Sequence, residues 1–429
     1  LPNGLRVATE ETYGQVAAVA LFVDAGSMYE TPASRGCAHL LENLAFKSTS
    51  TRSTADVDAI VTQHGLSPSA ASTREFIMYK VDTLRGSTEA AVELLADTVT
   101  RPTFAADEMA LAKMVANFQH QDLSSNPSLL IQEVSQAAAF GPTSALGQQT
   151  MCSEDILAAT TDDGLRQFMG AYFTAPRMVL SGAGVAHDEL VRFAEEYMSD
   201  LPAVSATTPV VPEVNYTGGD IRLGPLPGVD DGQTHISVAF KSSGWTSDDL
   251  VPLCVLDTLL GGGSSFSVGG PGKGMYSRLY REVLNMHSWV QAINAYTVQT
   301  ANVGLFGIYG ACNAEHATAL MNVMYHNLMR LHSEPVSEEE LSRARNQLRS
   351  SLLMNLETRA ILCEDIGRQI LSSNKRLEPA HLCEAIAAVT AEDLSDVARR
   401  ALSTPPAFAC IGDHSRVPAY QAFAGIFNQ

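Results

Sequence analysis

Short apolar runs, most of them closed by a glycine, set the pattern of this chain. Residues 16–23 (Val-Ala-Ala-Val-Ala-Leu-Phe-Val) predict a strand ending at Gly26, and 76–81 (Phe-Ile-Met-Tyr-Lys-Val) predict another. Residues 1–6 read as a turn leading into a strand. An amphipathic helix is expected near 87–100, closed by Arg101-Pro102. A longer one opens on Ala106-Asp107-Glu108, where acidic side chains suit a helix start. Residues 156–165 then lead to a strand ending Val179-Leu180-Ser181-Gly182.

The series is written a second time. Residues 235–240 repeat the first strand and end at Gly244, and 304–309 (Gly-Leu-Phe-Gly-Ile-Tyr) repeat the second. A helix near 314–331 precedes Glu334-Pro335, Ser337-Glu338-Glu339-Glu340 opens the next, and Phe408-Ala409-Cys410-Ile411-Gly412 closes the copy. Pro102 recurs as Pro335, Thr160 as Thr390 and Gly182 as Gly412, at offsets of 233, 230 and 230 residues. Between the copies, residues 201–233 hold five prolines and form the expected linker, with a strand within 216–223. The pattern predicts an α+β protein of two homologous domains, 1–200 and 234–429, each pairing a sheet with long helices on one face. Two such halves can enclose a cavity.

Composition narrows this picture. With 429 residues and 45% apolar content the chain can core two domains. No apolar run approaches the roughly 20 residues of a membrane helix, so a soluble or peripheral protein is expected. The seven cysteines (37, 152, 254, 312, 363, 383, 410) show no CxxC spacing and suit buried thiols in a reducing compartment. The formal charge of −19 disfavours nucleic acid and favours basic partners.

Candidate chemistry sits in two places. The first is Arg35-Gly36-Cys37-Ala38-His39-Leu40-Leu41-Glu42-Asn43-Leu44-Ala45-Phe46-Lys47-Ser48-Thr49, one residue from the inverted zinc motif H-x-x-E-H. In that motif histidines at i and i+4 share one helix face and a zinc ion, and the glutamate activates zinc-bound water. Here His39 and Glu42 are present, but Asn43 holds the second ligand position, and a neutral amide is a poor zinc donor. An HxxE match alone is also what an ordinary helix with a polar face presents.

The second place is an insertion peculiar to the second copy, residues 261–279, which opens Gly261-Gly262-Gly263-Ser264-Ser265-Phe266-Ser267-Val268-Gly269-Gly270-Pro271-Gly272-Lys273-Gly274 and runs on through Met275-Tyr276-Ser277-Arg278-Leu279. Seven glycines in fourteen residues leave the backbone unusually free, with many exposed amides. Three readings compete. Phosphate binding lacks a preceding strand and the Walker spacing. A passive surface loop is the second. The third is a flap that touches an extended peptide.

The HxxE context and the glycine-rich stretch together resemble the pitrilysin-type metallopeptidases, and within them the alpha-subunit branch of the mitochondrial processing peptidases. Further matches run through 305–310, 353–357 and 364–371, and the wording around Gly-Pro-Gly-Lys-Gly-Met is most like plant and algal members. The resemblance covers nearly the whole chain and implies two pitrilysin-like domains. Gln119, 76 residues after Asn43, matches the family's third ligand, a glutamate, so two of three ligands are amides. His120 and Asp122 are close in sequence but differ in helical phase. The resemblance therefore implies that His39, Glu42, Asn43 and Gln119 are remnants, that no metal is held here, and that zinc belongs to a partner beta subunit. It implies a non-catalytic subunit whose Gly261, Gly262, Gly263, Ser264, Ser265, Phe266, Ser267, Gly269, Gly270, Pro271, Gly272, Lys273 and Gly274 contact basic matrix-targeting presequences. It also implies a place in the mitochondrial matrix, peripheral to the inner membrane, with other subunits of respiratory complex III as companions. The abrupt start at Leu1-Pro2-Asn3-Gly4 reads as a mature form with its targeting segment removed. The rivals are a purely structural complex III core subunit and, against Asn43 and Gln119, an independent zinc peptidase.

Overall fold

The structure, a computed structural model, describes residues 1–210, 212–229, 231–264 and 275–427. The chain divides into two compact units. One comprises Leu1–Gln121, Thr150–Glu213 and Met354–Arg376; the other comprises Asp122–Gln149, Val214–Leu353 and Leu377–Gln429.

The first unit is built on five strands, β1 (Arg6–Glu10), β2 (Val16–Val23), β3 (Ser67–Ser72), β4 (Ile77–Leu84) and β5 (Met178–Ala183), in the order β1-β5-β2-β4-β3. β1 runs parallel to β5, while β5, β2, β4 and β3 pair antiparallel. β2 is buried from Ala17 to Val23, more than a half-exposed strand of alternating pattern would be. Val19, Leu21 and Val23 join a core with Leu94 and Leu95 of the helix Thr88–Thr100 and Leu40 of the helix Cys37–Asn43.

The opposite face is closed as well, contrary to the one-sided arrangement expected from sequence. Ala18, Ala20 and Phe22 pack against Leu362, Cys363 and Ile366 of the helix Arg359–Ser373. Gly367 of that helix lies flat on the Phe22 ring, so that a Cβ there would fall 2.1 Å from Phe22 Cε2. Lys80 of β4 meets Glu364 at 2.6 Å, and Arg6 donates to the Ile370 carbonyl at 3.0 Å.

The second unit repeats the topology. Its strands β6 (Gly219–Leu223), β7 (Gln233–Ser243), β8 (Gly262–Ser264), β9 (Val290–Gln299), β10 (Val303–Asn313) and β11 (Ala407–Ile411) lie in the order β6-β11-β7-β10-β9-β8. Reading β6 for β1, β11 for β5, β7 for β2, β10 for β4 and β9 for β3 gives the same sheet, including the parallel outer pair. β6 lies inside the proline-rich 201–233 stretch, where a strand was expected. β8, the start of the glycine-rich insertion, is an added edge. One face packs Ile236, Val238, Phe306 and Phe408 against the helices Leu250–Leu260, Ala317–Ser333 and Ala391–Leu402.

The other face is covered by the helix Pro127–Phe140, which packs on β7 and β11. Its Ala139 carbonyl accepts from the Thr217 and Gly218 amides, and Phe140 meets the Tyr216 ring edge-on at 5.9 Å. The two sheets therefore trade cover. A helix written in the first copy lies on the second sheet, and Arg359–Ser373, written in the second copy, lies on the first. Among the described residues no helix is long and apolar enough to cross a membrane. Cys37, Cys152, Cys312, Cys363, Cys383 and Cys410 are buried.

Candidate functional site

The helix Cys37–Asn43 starts at Gly36, whose φ of +89° suits glycine. Glu30 anchors this start: its carboxylate accepts from Gly36 N at 3.1 Å and Ala38 N at 2.8 Å and pairs with Arg35 at 2.9 Å. A carboxylate on otherwise unpaired amides at a helix N-terminus is favourable. Burial still pushes the Glu30 carboxyl above its usual range, against the pull of Arg35 and the two amides.

His39 points inward from this helix and is 2% exposed. Its Nδ1 accepts from the Cys152 amide at 3.2 Å. That bond leaves the proton on Nε2, which donates to Gln119 Oε1 at 2.8 Å. Asn43 Nδ2 donates to the same Gln119 oxygen at 3.0 Å and to the His39 carbonyl one turn back at 2.9 Å. Burial lowers the His39 pKa, outweighing the Gln119 acceptor and the Glu42 charge, and nearby His120 opposes protonation further. The imidazole is therefore neutral.

Helical spacing placed His39 and Asn43 on one face and the family resemblance added Gln119, and the fold brings all three together. Glu42 is held elsewhere: its carboxylate accepts from the Ser72 amide at 2.8 Å and the Ser72 hydroxyl at 2.6 Å, at the end of β3. The Cys152 amide, which sets the His39 tautomer, carries no sequence signal, because a backbone N–H is present at nearly every position.

Chemically the cluster does not fit zinc. A zinc ligand offers a bare imidazole lone pair or an anion, whereas the His39 Nε2–H and the Asn43 amide both aim donors at one neutral oxygen. Among the described residues no group of three or more His, Cys, Asp or Glu could hold a metal ion. The three side chains instead clamp the helix Cys37–Asn43 to the helix Ala106–Ser125.

The insulinase (peptidase family M16) model matches residues 6–154, and the peptidase M16 inactive-domain model matches 160–348. The mitochondrial-processing peptidase subunit alpha of Solanum tuberosum is 38% identical over 100% of this chain and 84% of its own length. The Homo sapiens protein of that name is 35% identical over 98% and 82%. The chain belongs to the M16 peptidase family, among the mitochondrial-processing peptidase alpha subunits. Its fold is also that of a chain in the solved complex III2 from Candida albicans with Inz-5 bound, at TM-score 0.84 and 20% identity, covering 100% of this chain and 98% of that one.

In this alpha-type chain the glycine-rich stretch begins as an ordered edge. The helix Leu250–Leu260 ends at Gly261 (φ +53°), and Gly262 (φ +123°) starts β8. A Cβ at Gly262 would lie 2.1 Å from the Ile293 carbonyl oxygen, so only glycine lets β8 meet β9 here. The Gly262 amide donates to Ser277 Oγ at 3.1 Å, and Ala295 N donates to the Gly261 carbonyl at 2.8 Å. Ser277 and Arg278, inside the insertion but not among its expected contact residues, pin the far side, Arg278 through a 3.1 Å ion pair to Glu340. Gly263 and Ser264 complete β8. Ser265, Phe266, Ser267, Gly269, Gly270, Pro271, Gly272, Lys273 and Gly274 lie outside the described residues.

Proposed function

We propose that this chain is the non-catalytic, substrate-recognising alpha subunit of a heterodimeric mitochondrial processing peptidase, acting in the matrix on presequences that a zinc-bearing beta subunit cuts. The observation that carries this reading is the Gln119 oxygen accepting from both His39 and Asn43, a neutral clamp where a working peptidase needs a cation. The full-length similarity to alpha subunits supports the branch, and the charge of −19 suits Arg-rich presequences. Residues 261–274 are the proposed presequence contact, with their first strand fixed to β9. The likeness of fold to a complex III chain agrees with a second residence as a core subunit on the matrix side of the inner membrane.

The test is reconstitution with a zinc-bearing beta subunit and a fluorogenic presequence peptide. The chain alone should cleave nothing and carry well under one zinc per molecule, and the pair should cleave. Deleting 261–274 should impair cleavage with assembly intact. Stoichiometric zinc on the isolated chain would overturn the reading. Unimpaired cleavage by the deletion variant would favour a scaffold role instead.

A further inference from the structure

The helix Ala106–Ser125 is apolar on two faces. Met109, Ala112 and Ala116 are buried in the core of the first unit. Leu111, Met114, Val115 and Phe118 recur at i, i+3, i+4 and i+7, so they share another face, and they are 49%, 52%, 39% and 60% exposed. A contiguous exposed apolar stripe of this kind marks a surface that something else covers. It begins where the dismantled metal site ends, since Phe118 precedes Gln119 in the same helix.

Its surroundings are acidic. Asp107 is exposed at the start of the helix. Glu154 meets the helix at Asn117, the residue before Phe118, its carboxylate accepting at 3.5 Å, and Asp155, the next residue in the chain, is exposed. Lys113, the one cation in residues 106–121, donates to the Thr160 carbonyl at 2.7 Å, away from the stripe. An apolar stripe with acidic flanks complements a peptide with one apolar face and basic residues beside it. Methionine and phenylalanine adapt to varied side chains, as a site for many different sequences requires.

We infer that Leu111, Met114, Val115 and Phe118 form a docking stripe for the apolar face of basic amphipathic presequences, distinct from the glycine-rich contact. This rests on the presequence reading above and assigns it a second, hydrophobic site.

The test uses the heterodimer with its zinc chelated, so that bound peptide is not cut. Two labelled peptides are compared by fluorescence anisotropy: a basic amphipathic presequence, and a control with the same arginines but serines for its apolar residues. Met114→Ser/Phe118→Ser should weaken the amphipathic peptide by about tenfold, the scale of losing two partly buried side chains, and leave the control within twofold. Circular dichroism should be unchanged, because both side chains are exposed. An unchanged amphipathic affinity, or an equal loss for both peptides, overturns the inference while leaving the presequence reading intact. Loss of the beta subunit from the variant complex on gel filtration also overturns it, by making the stripe a subunit contact. If the wild-type heterodimer binds neither peptide, the functional reading fails, and the stripe falls with it.

Discussion

Gln119 Oε1 lies 2.8 Å from His39 Nε2 and accepts its hydrogen bond. In a zinc peptidase that nitrogen would be bare and the facing residue anionic. Reversing both amides should reverse the chemistry. Asn43→His with Gln119→Glu rebuilds two imidazoles at i and i+4 and a carboxylate facing them, a recognised zinc donor set. Metal analysis after zinc loading and desalting should give close to one zinc per double variant, with each single variant far below it. Equal uptake by wild type and double variant would show that the amides are not what excludes the metal.

Neutral, buried His39 has a consequence for acid stability. Its folded pKa lies below the ordinary 6.5, so below that pH the unfolded chain binds a proton that the folded chain refuses. Stability therefore rises with pH across this window and falls as pH drops through it. His39→Gln should lower the melting temperature at pH 7.5, because the clamp is broken. It should also flatten the loss of melting temperature between pH 7 and pH 5.5. His235, likewise depressed by burial, contributes a slope of the same sign that this variant leaves in place. A parallel pH profile in wild type and variant would contradict the assignment.

The duplication is legible in the sequence because its landmarks are local. Pro102 and Pro335 follow the ends of helices, and Gly182 and Gly412 sit at the ends of strands, one inside β5 and one just past β11, wherever the rest of the chain goes. Asn43 is legible for a similar reason, since it follows His39 by one helical turn, whereas Gln119 is found only through the resemblance to the family's third ligand. The traded helices are not. Leu130, Ile131 and Val134 in Pro127–Phe140 announce a buried face without saying which sheet buries it. The long-range partner decides that, and it is Tyr216 and the strands β7 and β11.

That trade makes Gly367 more than a weak spot in a helix. Ordinarily Gly→Ala inside a helix stabilises by reducing the freedom of the unfolded chain. Here the added methyl would overlap the Phe22 ring, which is 1% exposed and has no room to move. Gly367→Ala should therefore destabilise, by about 2–3 kcal/mol in urea unfolding. Phe22→Leu, combined with it, should recover part of the loss although it costs stability alone. A stabilised Gly367→Ala variant would mean that Arg359–Ser373 does not lie on β2.

Asp257 stands one turn before the glycine-rich stretch, and its Oδ1 is buried without a hydrogen-bond partner among the described residues. Burial alone raises its pKa from 3.8 to about 6. A folded pKa above the unfolded one means that the folded carboxyl holds its proton longer, so stability is lost as pH rises from about 4 to 6 and stays lost above. The shift corresponds to about 3 kcal/mol at neutral pH. Asp257→Asn removes the charge at nearly constant shape, though its amide needs partners too, so a net gain of about 1–2 kcal/mol is expected at pH 8. The gain should shrink as pH falls below 6, visible as converging denaturation midpoints. A variant less stable than wild type at pH 8 would show that the carboxylate is held by a partner, and that this helix end is built around its charge.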